Sequence, residues 1–268
     1  MHREFTETAH DNVLLCGKID APDDPSAVIV IVHGLCEHYG RYDYLAAKLN
    51  AAGYAVVRFD HRGHGRSMGK LVYFKDREQI VKDTDLFVEA ARRAFPGLPV
   101  YMIGHSMGGF GAASYGTAHP SKLAGYVLSG AWTRDHKGLA NVDPSLDNDT
   151  YLPNELGDGV CSDPAVVKAY QEDKFVAKKM SVGLMRAVHD GHRWLKENAA
   201  AFADPVILLH GGNDGLVDPK DSLDMFEEVS STDKSLRVYA GLCHEIFNEF
   251  DRDMVIRDAI EWLDKRAK

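Results

Sequence analysis

Short runs of β-branched and aromatic residues alternate along this chain with stretches of helical spacing. Residues 4–10 and 13–20 form two extended segments around Asp11-Asn12, a turn-prone pair that suits an opening hairpin. Residues 27–32, AVIVIV, are apolar without alternation, the pattern of a strand buried on both faces. Leu45, Leu49 and Ala52 share a helical face within 42–52, which stops at Gly53, and a strand over 55–59 follows. Within 79–95, Ile80, Phe87, Val88, Ala91 and Phe95 lie close to one face of a helix. A strand over 99–103 runs into Gly104-His105-Ser106-Met107-Gly108-Gly109, then a helix of small residues over 110–118 and a strand over 124–129. The pattern resumes with strands at 205–210 and 235–239 and helices at 220–229 and 251–267. Such alternation predicts an α/β fold, a mostly parallel sheet with helices on both faces.

From about 132 to 190 the chain shows no strand-like run. Between Thr133 and Asp163 there are seven acidic residues against Arg134 and Lys137, and Pro144 and Pro153 break helical spacing. Asp163-Pro164 opens a helical stretch with Val167, Tyr170 and Phe175 loosely grouped, and another over 180–189 carries Met180, Val182, Leu184, Met185 and Val188. Residues 132–190 are therefore expected to form an inserted cap, not an independent domain, with 1–131 and 191–268 making one core.

Composition narrows the function classes. The 268 residues carry a net charge of -9, which disfavours a nucleic-acid binder and adhesion to anionic lipid surfaces. The first five residues hold no apolar signal-peptide core, and the longest apolar run, 27–32, is far too short for a membrane span, so no stable membrane insertion is expected. Four widely spaced cysteines without a CxxC pair argue against zinc and for free thiols in a reducing cytoplasm.

Chemistry concentrates at strand ends. Gly104-His105-Ser106-Met107-Gly108 fits G-x-S-x-G, a weak signal alone that gains force from the apolar strand before it and the small-residue helix after it. A tight strand-to-helix turn exposes the Ser106 hydroxyl as a nucleophile and demands small neighbours. A serine nucleophile needs a base, and the base needs an orienting acid, in the chain order Ser, Asp, His. Asp214 follows the strand at 205–210 in a glycine-rich turn, whereas Asp218 precedes Pro219 and suits a helix cap. His244 alone among the thirteen histidines lies beyond the last strand, which makes it the expected base. The backbone N–H groups of Leu35 and Met107 are the candidate oxyanion donors. Asp60-His61 and His64 lack a third ligand at metal-binding spacing and are expected to hydrogen-bond the oxyanion loop. Arg62 and Arg66 are expected to be solvated or ion-paired, and Glu245 to be a surface carboxylate.

His33-Gly34-Leu35-Cys36-Glu37-His38, Arg41-Tyr42, the run from Asp60 to Ser67, and Gly104 to Gly109 together resemble the monoglyceride lipase and lysophospholipase family of α/β-hydrolases. So do Ser162-Asp163-Pro164 with Tyr170 and Asp173, and His210-Gly211 with Asp214, Val217-Asp218 and His244. The resemblance covers most of the chain and implies an α/β-hydrolase fold and hydrolysis of a carboxylic ester, typically a monoacylglycerol or related lipid. It assigns Ser106, Asp214 and His244 to the triad and Leu35 and Met107 to the oxyanion hole, with a small-molecule ester as substrate and neither metal nor organic cofactor. Cys36 stands where the family often has Gly and is expected to be a small buried side chain. The polar, acidic first half of the cap suits a soluble or short-chain ester. Met180, Leu184, Met185 and Val188 suit either an acyl channel or the ordinary inner face of a cap helix. Two other readings stay open: an aminopeptidase-like amide hydrolase, and a non-catalytic ligand-binding homologue.

Overall fold

The computed structural model describes residues 1–156 and 159–267, so Asp158, one of the seven acidic residues above, lies outside the described residues. The chain opens with the hairpin β1 (His2–Thr8) and β2 (Leu14–Asp20), turned at Asn12 with φ 62°. β3 (Ala27–Val32), α1 (Asp43–Ala51), β4 (Tyr54–Phe59), α2 (Arg77–Ala94), β5 (Val100–His105), α3 (Met107–Ala118) and β6 (Gly125–Ser129) follow. Beyond β6 come β7 (Tyr151–Pro153), α4 (Pro164–Glu172), β8 (Lys179–Ser181) and α5 (Val182–Asn198). The core closes with β9 (Val206–Gly211), α6 (Pro219–Glu228), β10 (Lys234–Tyr239) and α7 (Arg252–Ala267).

Eight strands form one sheet in the order β1-β2-β4-β3-β5-β6-β9-β10, antiparallel at β1–β2 and β2–β4 and parallel from β4 onward. The unbroken apolar run of β3 follows from its place between β4 and β5. Val28, Val30 and Val32 face the apolar layer shared with α2, α3 and α5, while Ala27, Ile29 and Ile31 face the layer shared with α1 and α7. The sheet's carboxyl ends therefore gather the loops after β3, β5, β6 and β9 on one side.

The segment between β6 and β9 differs from expectation in two respects. β7 and β8 pair antiparallel as a two-stranded sheet where no strand was expected. Three residues per strand, one of them Pro153, are too few to give an alternating signal. The expected cap boundary at 190 falls inside α5, which runs on to Asn198. Gly191 lets that helix sit on Phe110 of α3, since a Cβ there would meet the ring at 2.3 Å. Met180, Leu184, Met185 and Val188 join the same apolar layer as Val32 and Phe59. Asp163 caps α4 by accepting a 2.8 Å hydrogen bond from Ala165 N–H, and Ser181 caps α5 by accepting one of 3.0 Å from Leu184 N–H. Among the described residues no helix is long and apolar enough to cross a membrane, and all four cysteines are free.

Candidate active site

Ser106 occupies the turn from β5 to α3 at φ 55°, ψ -120°, a region that L residues rarely adopt and that costs about 1–3 kcal/mol. Its neighbours hold it there. Ser106 N–H donates to Ser129 O at 3.0 Å, and Ser106 O accepts from Phe110 N–H at 3.0 Å and Trp132 N–H at 3.1 Å. Close approach explains the flanking glycines: a Cβ on Gly108 would lie 2.1 Å from Val32 O, and one on Gly104 would lie 2.5 Å from Gly108 O. Met107 is the first residue of α3, so its N–H has no acceptor within the helix.

Opposite this turn stands the loop after β3. Gly34 N–H donates to Glu37 Oε1 at 2.5 Å, and a Cβ on Gly34 would stand 3.2 Å from Ser106 Cβ. Leu35 and Ser106 line one cavity. Cys36 is buried at φ 64°, a backbone that favours glycine, and burial followed by the Glu37 charge pushes its thiol pKa upward. It remains a protonated filler. Behind the loop, His61 N–H donates to His33 Nε2 at 3.0 Å, which puts the His33 proton on Nδ1, 2.8 Å from Gly34 O. His61 Nε2 lies 3.0 Å from His33 O, and Asp60 accepts from Tyr39 N–H and Arg66 N–H, both at 2.7 Å. Burial drives His61 down to about 3 and His64 to about 4, so both rings are neutral structural members. Arg62 is ion-paired, with Nε 2.6 Å from Asp83 Oδ2 and Nη1 2.7 Å from Asp11 Oδ2.

Asp214 follows β9 and is buried under four donors. Its Oδ1 accepts from Leu216 and Val217 N–H, each at 2.8 Å; its Oδ2 lies 2.7 Å from His244 Nδ1 and 3.1 Å from His210 Nε2. Burial would raise its pKa, but the facing His244 charge and the two imidazole hydrogen bonds hold it well below the usual carboxylate range. His244 responds in the opposite sense. Burial alone would lower it, yet Asp214, then Glu245 and Glu37, leave it above the ordinary imidazole value of 6.5. Asp218 instead caps α6, accepting from Lys220 N–H at 2.9 Å.

Ser106, His244 and Leu35 share the cavity with Gly34, Glu37, His105, Trp132, Leu139, Leu156, Val160, Tyr170, Leu216 and Glu245. The cavity is narrow, with room for roughly one water molecule. Met180, Leu184, Met185 and Val188 do not line it: of the two readings open for them, α5 packs them as the inner face of a helix, in the sheet-facing layer.

Glu245 is a correction. Expected at the surface, it is only 4% exposed and receives Arg41 through two bonds, Nη1 to Oε1 at 2.5 Å and Nη2 to Oε2 at 2.8 Å. Arg41 Nη1 also reaches Glu37 Oε2 at 2.9 Å, and Tyr42 OH donates to Glu37 Oε1 at 2.6 Å. The guanidinium lies 4.8 Å from the Tyr170 ring centre. Sequence reasoning missed this cluster, although the i, i+4 spacing of Glu37 and Arg41 was a usable signal.

This sheet order, with a strained serine after β5, an acid after β9 and a histidine after β10, defines the α/β-hydrolase class. The chain belongs to the family described as serine aminopeptidase, S33, which matches residues 23–251. It is 38% identical over 251 residues to a monoacylglycerol lipase of Mycolicibacterium smegmatis, covering 90% of each chain. Among solved structures it is similar to a monoacylglycerol lipase of Paleococcus ferrophilus, with a TM-score of 0.82, 30% identity and 99% of each chain covered. A soluble variant of the Saccharomyces cerevisiae monoglyceride lipase, bound to a substrate analog, gives a TM-score of 0.88 at 25% identity, over 98% of this chain and 95% of that one. The protein is a carboxylic ester hydrolase.

The Arg41 cluster yields a stability prediction. Arg41→Met leaves two buried carboxylates facing each other and destabilises the fold by about 3–5 kcal/mol at neutral pH. Burial opposes ionisation of Glu245, but Arg41 holds its carboxyl below the ordinary range, so the stabilisation it gives is present above the unfolded pKa and lost as pH falls through the folded one. The deficit of Arg41→Met against wild type in denaturant melts is therefore largest at pH 7 and shrinks towards acid; a constant deficit refutes the electrostatic origin.

Proposed function

We propose that this enzyme cleaves monoacylglycerols or short-to-medium acyl esters by two-step acyl transfer. Ser106 Oγ attacks the ester carbonyl carbon as its proton passes to His244 Nε2. Asp214 holds the proton on His244 Nδ1 and balances the imidazolium. The Leu35 and Met107 N–H groups receive the oxyanion. The alcohol leaves with the proton from His244, and water, deprotonated by His244, then splits the acyl-serine to the free acid. The observation that carries this reading is the 2.7 Å His244–Asp214 hydrogen bond on the wall of the cavity that holds Ser106.

The cavity lining bears on the substrate class. Leu139, Leu156, Val160 and Tyr170, all between β6 and β9, cover the cavity with apolar surface, which supports residues 132–190 acting as a cap that moves to admit an acyl chain. Backbone bonds tie this cap to the site, Ala177 N–H to Cys36 O at 2.8 Å and Glu245 N–H to Val160 O at 2.7 Å. The acidic residues Asp143, Asp147 and Asp149 are exposed and absent from the lining. Glu37 and Glu245 do line the cavity, but Arg41 engages both, leaving neither for a substrate ammonium. That arrangement favours an ester over an N-terminal peptide despite the family's descriptive name. The free state of all four thiols supports a reducing, cytoplasmic setting.

A panel of monoacylglycerols, simple esters and aminoacyl arylamides tests the reading. The kcat/KM values are expected to peak at short-to-medium acyl chains with arylamides inert, and Ser106→Ala to lose turnover of every ester while staying folded. A maximum on arylamides, or full activity of Ser106→Ala, overturns it.

Two further outcomes follow from the electrostatics. Asp214→Asn misplaces the imidazole proton and lowers kcat by on the order of 10⁴-fold. Asp218→Asn keeps a competent cap and stays within about twofold of wild type; the reverse ranking in steady-state kinetics rejects Asp214 as the orienting acid. Because the base acts unprotonated, kcat/KM rises with pH through the His244 pKa, and the acid limb inflects above pH 6.5. An inflection below that value contradicts the stabilised imidazolium.

A further inference from the structure

Asp214 has one more side-chain partner than an orienting acid requires. Its Oδ1 is pinned by the Leu216 and Val217 N–H groups, each at 2.8 Å. About that fixed oxygen the carboxylate can still swing, and where Oδ2 comes to rest decides how it meets His244. Two imidazoles meet Oδ2, His244 Nδ1 at 2.7 Å and His210 Nε2 at 3.1 Å. An ionised carboxylate takes about four hydrogen bonds, so His210 completes the set.

His210 lies in β9 and is fully buried. Its ring is held at both nitrogens. Nδ1 lies 2.7 Å from the buried Ser222 Oγ of α6, and Nε2 lies 3.2 Å from Val217 O. A carbonyl oxygen only accepts, so Nε2 carries a hydrogen, which it presents to Val217 O and Asp214 Oδ2 together. His210 is absent from the lining of the catalytic cavity, so its influence on the reaction passes through Asp214. The backbone around it meets the histidine loop directly. A Cβ on Gly211 would collide with Cys243 O, Asn213 N–H donates to Leu242 O at 2.9 Å, and Gly212 N–H donates to Tyr239 O at 2.7 Å.

We propose that His210 is a positioning residue for ester hydrolysis: its Nε2–H holds Asp214 Oδ2 against His244 and draws off part of the charge that this oxygen offers to the His244 ring. The inference rests on the triad reading of Ser106, Asp214 and His244. Removing the N–H has two consequences of fixed sign. The carboxylate loosens, which slows acyl transfer without touching the surfaces that bind substrate. Its charge is then turned wholly on His244, which stabilises the imidazolium further, so the acid limb of kcat/KM moves to higher pH. Burial opposes ionisation of Asp214, while the His244 charge and then the His210 hydrogen bond hold its carboxyl below the ordinary range. Glu245, Glu37 with Arg41, His105 and Cys243 also face the pair, as does Lys137, whose Nζ donates to Asp214 O at 2.5 Å. All of these stay in place when His210 is replaced, so a moved limb reports the His210 bond.

The test is steady-state kinetics of the full chain on the ester turned over fastest in the panel above, across the titration range of histidine. His210→Leu, His210→Gln and Asp214→Asn are compared with wild type, each checked for folding by circular dichroism. His210→Leu is expected to lose about tenfold in kcat with KM within about twofold, and its acid limb to move up by about half a pH unit. His210→Gln, whose amide N–H reaches the place of Nε2, is expected to restore both rate and limb. A packing role alone gives a different pattern, a lower kcat at an unmoved limb with Gln no better than Leu. Either an unmoved limb in His210→Leu or a His210→Gln as impaired as His210→Leu overturns the proposal. If the Ser222 hydroxyl, left buried without a partner, unfolds His210→Leu, then His210→Leu/Ser222→Ala removes both ends and gives the same readouts. Asp214→Asn separates this inference from the reading beneath it. Full activity there overturns the triad assignment and the His210 role with it, whereas an inactive Asp214→Asn beside an unmoved limb in His210→Leu overturns the His210 role alone.

Discussion

The backbone of Ser106 is the constraint from which the rest of the site follows. A left-handed serine at the crest of β5 is unfavourable on its own and persists because three hydrogen bonds, to Ser129, Phe110 and Trp132, fix both its N–H and its carbonyl. The same turn forces α3 down onto the sheet, where only glycine at 108 clears the Val32 carbonyl. Gly34 then passes close to the Ser106 side chain, which sets the loop after β3 against the serine turn. Packing that would be a liability elsewhere here holds the serine turn and the loop after β3 together.

Charge organises the second layer. Arg41 joins Glu37, beneath the loop after β3, to Glu245, next to His244, so one guanidinium ties together two loops from opposite ends of the sequence. A buried ion pair of this kind gives little net stability against an apolar filling, yet breaking it is costly. Its value lies in fixing relative position. The Tyr170 ring over Arg41 and the 2.8 Å contact of His38 Nε2 with Asp173 Oδ2 bring the cap into the same cluster. Geometry at the serine and the seating of α4 thus share one set of charges.

Much of this was legible in the sequence, and the failures have physical reasons. The core strands carried unbroken apolar runs because both of their faces are covered, and the nucleophile turn announced itself through glycines that sterics require. Asp214 and His244 were placed by their position after strands, and the structure joins them at 2.7 Å. Glu245 was misjudged because a carboxylate is exposed unless a partner neutralises it, and its partner lies 204 residues away. β7 and β8 escaped notice because three-residue strands carry no period. The inner face of α5 was ambiguous between channel and core because helical spacing marks an apolar face without saying what it meets.

The thirteen histidines show how burial and charge divide labour among identical side chains. His105 and His244 stand 4.7 Å apart between ring centres, and both are buried. Burial lowers His105 to about 4, with the His244 charge acting in the same direction, while Asp214 beneath His244 raises that ring instead. His33, His61 and His64, packed edge-on and tilted to one another behind the loop after β3, are lowered like His105. The protein thus surrounds one imidazole whose protonated form is favoured with others whose protonated form is disfavoured, and the difference comes from a carboxylate that four donors keep ionised. In the proposed mechanism, a proton taken from Ser106 would rest on His244 and not on its neighbour, which is the condition for returning it to the leaving alcohol.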